Sequence, residues 1–254
     1  MIAVSVDCRL KDRDNVEVPL ECVKDAKSAI RFLRKNAAGL KVNPNKIVVA
    51  GGSAGGQIAA ALTMIDGAND DIYDLSISCA PNAVILYNPY FKCQADLSPP
   101  NFVKAGLLPF ITFLGSEDPA IKVEELEAFH ESLKAAGNAS EYYVGQGGKY
   151  GFCNGRNKWN PFFYWSLEWE DQFLVKHGIM AGSSNVKRPD GVGPVNVSAT
   201  TQPIVSPVKP PEIFVRLDLD QSGTLTMEEA CAMYLQQFHG RDANKDDVVV
   251  ANEI

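Results

Sequence analysis

The chain has 254 residues, 46% of them hydrophobic, and a formal net charge of −7 at pH 7. This composition is typical of one large or two smaller globular domains, and no apolar stretch approaches the roughly 20 residues of a membrane span. The charge is local, because residues 212–254 hold nine acidic and three basic residues, a difference of −6. A surface of this kind disfavours nucleic acid and anionic membrane as partners and suits a hard cation.

Alternating strands and helices are predicted along the first two thirds of the chain. The start has neither the basic leader nor the long apolar core of a signal peptide, and residues 2–6 form a short apolar run typical of a buried strand. Apolar residues at three- and four-residue steps predict an amphipathic helix from Pro19 to about residue 40. Further strands are predicted at residues 46–50, 83–87, 109–114 and 140–144, and further helices at 55–65, 123–136 and 163–177. This order indicates an α/β fold, a parallel sheet with helices on both faces.

The last part of the chain has a different character. Residues 183–211 contain six prolines, many small polar residues and no helical period, which predicts an extended, mobile linker. We therefore divide the chain into an α/β domain at 1–182, the linker at 183–211 and a small α-helical module at 212–254.

A nucleophile turn is predicted at Ser53. Residues 46–56 read KIVVAGGSAGG, a strand, a G-x-S-x-G turn and the start of a helix. Such a tight turn exposes the serine hydroxyl, and the glycines two positions to either side relieve the crowding. The amide of Ala54, at the start of the helix, is then directed to bind an oxyanion. The alternative is a structural glycine turn, which the strand before and the helix after disfavour.

Four motifs lie in order along the chain: SVDxRL at 5–10, GGSAGG at 51–56, NP at 88–89 and GSEDP at 115–119, in a likeness that covers about residues 2–180. Together they resemble bacterial acetyl-esterase/lipase enzymes of the hormone-sensitive-lipase-like group, which are α/β-hydrolases. The resemblance implies a serine carboxylesterase or lipase-like hydrolase of small acyl esters, with Asp118 as the triad acid that orients a histidine. Asp118 can also be a helix N-terminal charge before Pro119, and both roles are compatible.

The resemblance fails at the catalytic histidine. The family carries it in a Gly-x-Gly-His-Gly-Phe type turn, but the matching residues 145–152 here read GQGGKYGF. Tyr150 lies near the missing position, and the neighbouring Lys149 could favour its phenolate and so make it a substitute base. The three histidines, His130, His177 and His239, are expected to be surface or helix-end residues rather than displaced bases.

A second departure concerns the start of the chain. The resemblance places an oxyanion-hole loop and earlier strands before the point at which this sequence begins, so we expect the chain to lack them. Residues 2–6 would then either pair directly with residues 46–50 or leave an open sheet edge. Loss of the base alone costs a serine triad about 10⁶ in turnover, so the sequence predicts an impaired enzyme.

Two acidic stretches match the EF-hand calcium loop, in which oxygen ligands recur at fixed positions around a turn glycine. In the first loop the ligands are Asp218, Asp220, Ser222, Thr224, Thr226 and Glu229. In the second loop they are Asp242, Asn244, Asp246, Val248 and Glu253. Asp247 replaces the turn glycine in the second loop and only Ile254 follows its last ligand, so we expect the first loop to bind Ca²⁺ better. The alternative reading of the first loop is a solvated acidic turn.

Two functions therefore remain open. The first is a hydrolase of small acyl esters by ancestry, catalytically impaired, with calcium stabilising the appended EF-hand pair. The second is a non-enzymatic calcium-binding protein, or a fragment, that carries a relic hydrolase domain. Relatives with appended EF-hands are usually exported, although this chain shows no export signal.

Overall fold

The structure, a computed structural model, describes residues 1–17 and 19–199. One sheet has the strand order β1 (Val48–Gly52), β2 (Ala83–Tyr87), β3 (Phe110–Gly115), β4 (Ser140–Gly145) and β5 (Val197–Ala199). The first four strands are parallel, and β5 pairs antiparallel with β4. The α-helices are α1 (Lys11–Asp14), α2 (Leu20–Lys35), α3 (Ala54–Met64), α4 (Val123–Ala135) and α5 (Pro161–Lys176), and a short 3₁₀ helix spans Pro99–Phe102. Within the described residues, no helix is long and apolar enough to cross a membrane.

The sheet is covered on both faces, as the predicted α/β fold requires. Alternate residues of a strand point to opposite faces. In β2, Val84 and Leu86 join a core with residues of α3 and α4, whereas Ile85 joins a second core with residues of α5. The central strands can be apolar on both sides because both sides are packed, which explains their continuous hydrophobic runs.

Among the described residues, the elements predicted for the α/β domain other than the first strand are present. From β1 to α5 their observed bounds fall within two residues of the predicted ones. Helix α2 ends at Lys35, earlier than expected, and hydrogen-bonded turns carry the chain on to Lys41. Helix α5 begins at Pro161, with the Asn160 side chain accepting a hydrogen bond from the Phe162 amide.

The strand predicted at residues 2–6 is not formed. Ile2 and Val6 are 45% and 47% exposed, and the segment has no regular secondary structure. A strand is stable only when its backbone groups find a partner, and here the segment is attached through a side chain instead. Arg9 forms ion pairs with Glu21 at 2.8 Å and Asp25 at 2.6 Å on α2. Of the two expected outcomes, the sheet of the described residues therefore has β1 at an open edge.

The packed domain extends beyond the boundary expected at residue 182. Residues 183–199 cross α5, where Arg188 pairs with Glu168, and then reach the sheet, where the Gln146 amide donates to the Asn196 carbonyl at 2.8 Å. Strand β5 follows directly. Apolar residues of this segment, Val186, Val192, Val195 and Val197, pack against the cores around α5. The remainder of the predicted linker and both predicted calcium loops lie outside the described residues.

Candidate active site

Ser53 occupies a sharp turn between β1 and α3. Its backbone has φ 55° and ψ −120°, a conformation that side-chain-bearing residues rarely adopt. Hydrogen bonds hold the residue on both sides: its amide donates to the Tyr87 carbonyl at 3.0 Å, and its carbonyl accepts from the Gln57 amide at 3.2 Å and the Tyr90 amide at 3.0 Å. This is the geometry expected of a nucleophile elbow.

The glycines around Ser53 are required by close backbone contacts. A Cβ atom on Gly51 would lie 2.2 Å from the carbonyl oxygen of Gly55, and one on Gly56 would lie 2.8 Å from Cβ of Pro89. The turn can therefore close only with glycine at these positions. Ala54 is the exposed first residue of α3, where backbone amides have no partner inside the helix. The oxyanion role of this amide stays a prediction.

Asp118 follows β3 and has one engaged and one free oxygen. Oδ1 accepts hydrogen bonds from the amides of Ala120 at 2.9 Å and Ile121 at 3.1 Å. Oδ2 is buried and has no hydrogen-bond partner among the described residues. The hydrogen bonds to Oδ1 correspond to the local capping role. Oδ2 remains available as an acceptor of the kind that orients a histidine in a triad. Both roles predicted for this residue remain compatible.

Ser53, Asp118 and the loop of residues 146–152 follow three strands at the same edge of the sheet. Strands β1, β2, β3 and β4 are parallel neighbours in this order, so their carboxyl ends meet there. With neighbouring strands about 4.8 Å apart, the strands that lead to Ser53 and Asp118 are separated by about 10 Å. The carboxyl edge of a parallel sheet is where ligands bind in open α/β folds.

The loop that lacks the histidine lies against the Asp118 turn. The amide of Ser116 donates to the Gly145 carbonyl at 3.0 Å, and the amide of Glu117 donates to the Gly148 carbonyl at 2.9 Å. The Gly147 amide in turn donates to Ser116 Oγ at 2.8 Å. Tyr150 is 51% exposed, and no hydrogen bond among the described residues joins it to Ser53 or Asp118. The loop is present, but the structure gives Tyr150 no contact that would make it a base.

Both described histidines lie far from Ser53. His130 is fully buried on α4 rather than at the surface as expected, and its Nδ1 bonds to Oγ of Ser140, the first residue of β4. Burial lowers the pKa of His130 to about 3, so the ring is neutral. His177 follows Lys176, which pairs at 2.6 Å with Glu141 of the same strand start. Strand β4 is about 20 Å long, and Ser53 lies at the other end of the sheet. His239 is outside the described residues.

A cavity of about 290 Å³ lies beside the Ser53 and Asp118 turns. Two of its lining residues are bonded to those turns, Tyr90 through the Ser53 carbonyl and Ile121 through Asp118 Oδ1. An ion pair of 3.1 Å between the half-exposed Lys92 and Glu125 belongs to its lining. The volume is at the lower end of ligand pockets, which suits a small molecule. The other lining residues are Pro89, Phe91, Ser98, Pro100 and Leu126.

The cavity was not predicted from the sequence. Its residues come from the loop after β2 and from the start of α4, which no motif links. The only signal was the Asn88-Pro89 pair, which marks where that loop begins.

Solved esterases share this fold. Thermogutta terrifontis esterase 2, in the form phosphorylated by paraoxon, is 40% identical with a TM-score of 0.65, and the match covers 70% of this chain and 71% of that one. The propionate-bound form of this esterase is 38% identical with a TM-score of 0.64, covering 70% and 72%. At 40% identity over about 70% of both chains, the two proteins are similar in sequence as well as in fold.

Sequence comparisons agree. The profile of the BD-FAE family matches residues 1–81. Esterase LipQ of Mycobacterium tuberculosis is 27% identical over 155 residues, 48% of this chain and 36% of that protein. An AB hydrolase superfamily protein of Schizosaccharomyces pombe is 44% identical over 62 residues, 24% of this chain and 17% of that protein. The chain thus spans well under half the length of these two curated relatives.

Proposed function

Because the chain belongs to the α/β-hydrolase esterases, we propose that Ser53 is the nucleophile of a site for small acyl esters. The observation that carries the proposal is the strained backbone of Ser53, φ 55°, held by three backbone hydrogen bonds. A conformation of this cost persists where the surrounding structure over-determines it, which is typical of functional residues. The cavity of about 290 Å³ lies next to this turn, but neither Ser53 nor Asp118 is among its lining residues.

In this proposal Ser53 Oγ attacks the ester carbonyl, the Ala54 amide donates to the developing oxyanion, and the alcohol leaves with the serine proton. Water then cleaves the acyl-serine ester, which releases the acid and restores the Ser53 hydroxyl. The free Oδ2 of Asp118 supports its part as the acceptor for a base. The step without a clear agent is proton removal from Ser53. The loop GQGGKYGF holds no imidazole, and both described histidines lie at the opposite end of the sheet. We therefore propose that turnover is slow. If the base is wholly absent, turnover is about 10⁶-fold below that of an intact triad.

The test separates nucleophile activation from turnover. Paraoxon reacts by forming a bond from Ser53 Oγ to phosphorus while p-nitrophenolate leaves, so one equivalent of chromophore and a mass increase on the peptide of Ser53 report activation. Hydrolysis of p-nitrophenyl propionate reports turnover. We choose these two compounds because the solved esterase carries the paraoxon adduct and propionate.

We expect labelling of Ser53 that reaches one equivalent only slowly, because the same proton must leave, together with slow propionate release and neither signal in Ser53→Ala. Ser116→Ala is the control, since Ser116 lies at the same sheet edge in the Asp118 turn. Labelling of the Ser53→Ala variant at the rate of the unsubstituted chain would contradict the nucleophile. Turnover typical of an intact triad would contradict the impairment.

We further propose that the acidic residues 218–229 and 242–253 bind calcium in an EF-hand pair. The match of the first loop at every ligand position supports this. Titration of the full chain with CaCl₂ by calorimetry tests it. Glu229→Gln is expected to abolish the tighter binding step, because that residue supplies two oxygens, and Glu228→Gln is the matched control. An unchanged titration in Glu229→Gln would refute the assignment. Calcium binding without any labelling of Ser53 would favour the non-enzymatic alternative.

A further inference from the structure

A buried hydrogen bond joins α5 to the carboxyl end of β2. Glu170, in the middle of α5, is only 3% exposed, and its Oε1 accepts a hydrogen bond from the hydroxyl of Tyr87. Tyr87 is the last residue of β2, and its ring stacks on that of Phe113 with 5.6 Å between centroids. The side chain of Tyr87 is therefore fixed by both the helix and the next strand.

The backbone of Tyr87 is the part of the molecule that holds the Ser53 amide. Its carbonyl accepts the Ser53 hydrogen bond at 3.0 Å. The following residue, Asn88, is 4% exposed with φ 35°, and its amide donates to the Phe113 carbonyl at 2.7 Å. A rotation of the peptide after Tyr87 would thus move the acceptor on which the Ser53 turn depends.

From this geometry we propose that Glu170 and Tyr87 are positioning residues for Ser53: their hydrogen bond fixes the carbonyl that holds the nucleophile turn. The inference rests on the proposed function in taking Ser53 as the nucleophile. Neither residue touches the reacting atoms, so both act through the backbone.

The cost of burying a carboxyl group supports a role beyond packing. A buried carboxyl is unfavourable unless its hydrogen bonds are satisfied, and an apolar residue of similar size usually packs at no such cost. Burial raises the pKa of Glu170 to about 8, so the group is neutral at pH 7 and is held by hydrogen bonding rather than by an ion pair. A buried, satisfied polar pair specifies one arrangement of the groups it joins.

The same core provides a matched control. Tyr143 on β4 donates to Oε2 of Glu141 at 2.9 Å, and both residues are buried. This is again a tyrosine to glutamate bond beneath the sheet, and the Tyr143 ring contacts Trp169 on α5. Strand β4, which carries Tyr143, is separated from β2 by β3. The Ser53 amide donates to the carbonyl of Tyr87 on β2, so Tyr143 has no such link to the nucleophile turn. Removing the Tyr143 hydroxyl tests loss of a buried hydrogen bond without the link to Ser53.

The experiment measures amide hydrogen exchange of Ser53 by NMR in the full chain and in Tyr87→Phe, Glu170→Leu, Glu170→Gln and Tyr143→Phe. Tyr87→Phe and Glu170→Leu are expected to speed exchange of the Ser53 amide about tenfold relative to Tyr143→Phe, the factor that corresponds to one hydrogen bond. Glu170→Gln keeps an acceptor for the Tyr87 hydroxyl and is expected to match the unsubstituted chain.

Two results would overturn the inference: an unchanged Ser53 exchange rate in Tyr87→Phe, or the same acceleration in Tyr143→Phe. If Glu170→Leu fails to fold, Tyr87→Phe decides alone, because it keeps the ring stacked on Phe113. Paraoxon labelling of the same variants is a separate readout. If the Ser53 amide exchanges as expected but paraoxon does not label the unsubstituted chain, the proposed function is wrong and the positioning role is still supported.

Discussion

Replacing Glu170 with glutamine should stabilise the protein at neutral pH and change how its stability depends on pH. The carboxyl group is 3% exposed, and burial raises its pKa from 4.5 in the unfolded chain to about 8 in the folded one. Between these values the unfolded state ionises Glu170 and the folded state does not. The free energy of unfolding therefore falls as pH rises through this window, because the unfolded state binds fewer protons.

The size of the effect follows from the same two values. Each pH unit in the window costs about 1.36 kcal/mol, so at pH 7 the loss for this one group is about 3 kcal/mol. Glutamine keeps the acceptor for Tyr87 but has no proton to release, so it lacks this penalty. Below pH 4.5 both side chains are neutral, and the two proteins should be similarly stable.

Urea unfolding between pH 4.5 and pH 8 measures the prediction. The difference between Glu170→Gln and the unsubstituted chain should grow with pH and level off near pH 8. Glu131→Gln is the control, since the side chain of Glu131 is 68% exposed and should leave the slope unchanged. A constant difference across this range would refute the reasoning, because it would mean that Glu170 ionises alike in both states.

Other predictions follow from contacts around the site. Gly51→Ala places a Cβ 2.2 Å from a backbone oxygen and should lower the thermal midpoint and abolish Ser53 labelling. Gly193→Ala is the steric control, because no atom lies within 4 Å of the added Cβ and the backbone there is not left-handed. Tyr150→Phe should leave p-nitrophenyl propionate hydrolysis unchanged, because the ring is 51% exposed and unbonded to Ser53; a clear loss would revive Tyr150 as a base. The pKa of His130 is lowered to about 3, so the free energy of unfolding should fall as pH drops from 6.5, where the unfolded state takes up a proton and the folded state does not. His130→Gln should make this fall less steep in urea unfolding at acid pH. An equal slope in both proteins would contradict the prediction.

The sequence predicted best where local pattern determines structure. Strands β2 and β3 are almost continuous apolar runs packed on both faces, so their composition alone locates them. The turn at Ser53 was predictable because it needs glycine at Gly51 and Gly56, for contacts within a few residues or with Pro89 after β2.

The failures share a different cause. The apolar run at residues 2–6 resembles a strand, but a strand depends on a neighbour that a local pattern does not supply. Residues 183–199 read as a linker because of their prolines, yet Val195 and Val197 pack in the core and β5 pairs with β4. Tyr87 and Glu170 are 83 positions apart, and nothing in the sequence indicates that they meet. Contacts between residues far apart in the chain are therefore what the sequence could not predict.

The two margins of the sheet differ in what they offer a neighbouring molecule. On one flank β5 spans only three residues, and so short a ribbon is a poor template for another chain. On the opposite flank β1 spans five residues beside the nucleophile turn. Within residues 1–17 and 19–199, the longer row of unpaired backbone groups is therefore the one beside Ser53.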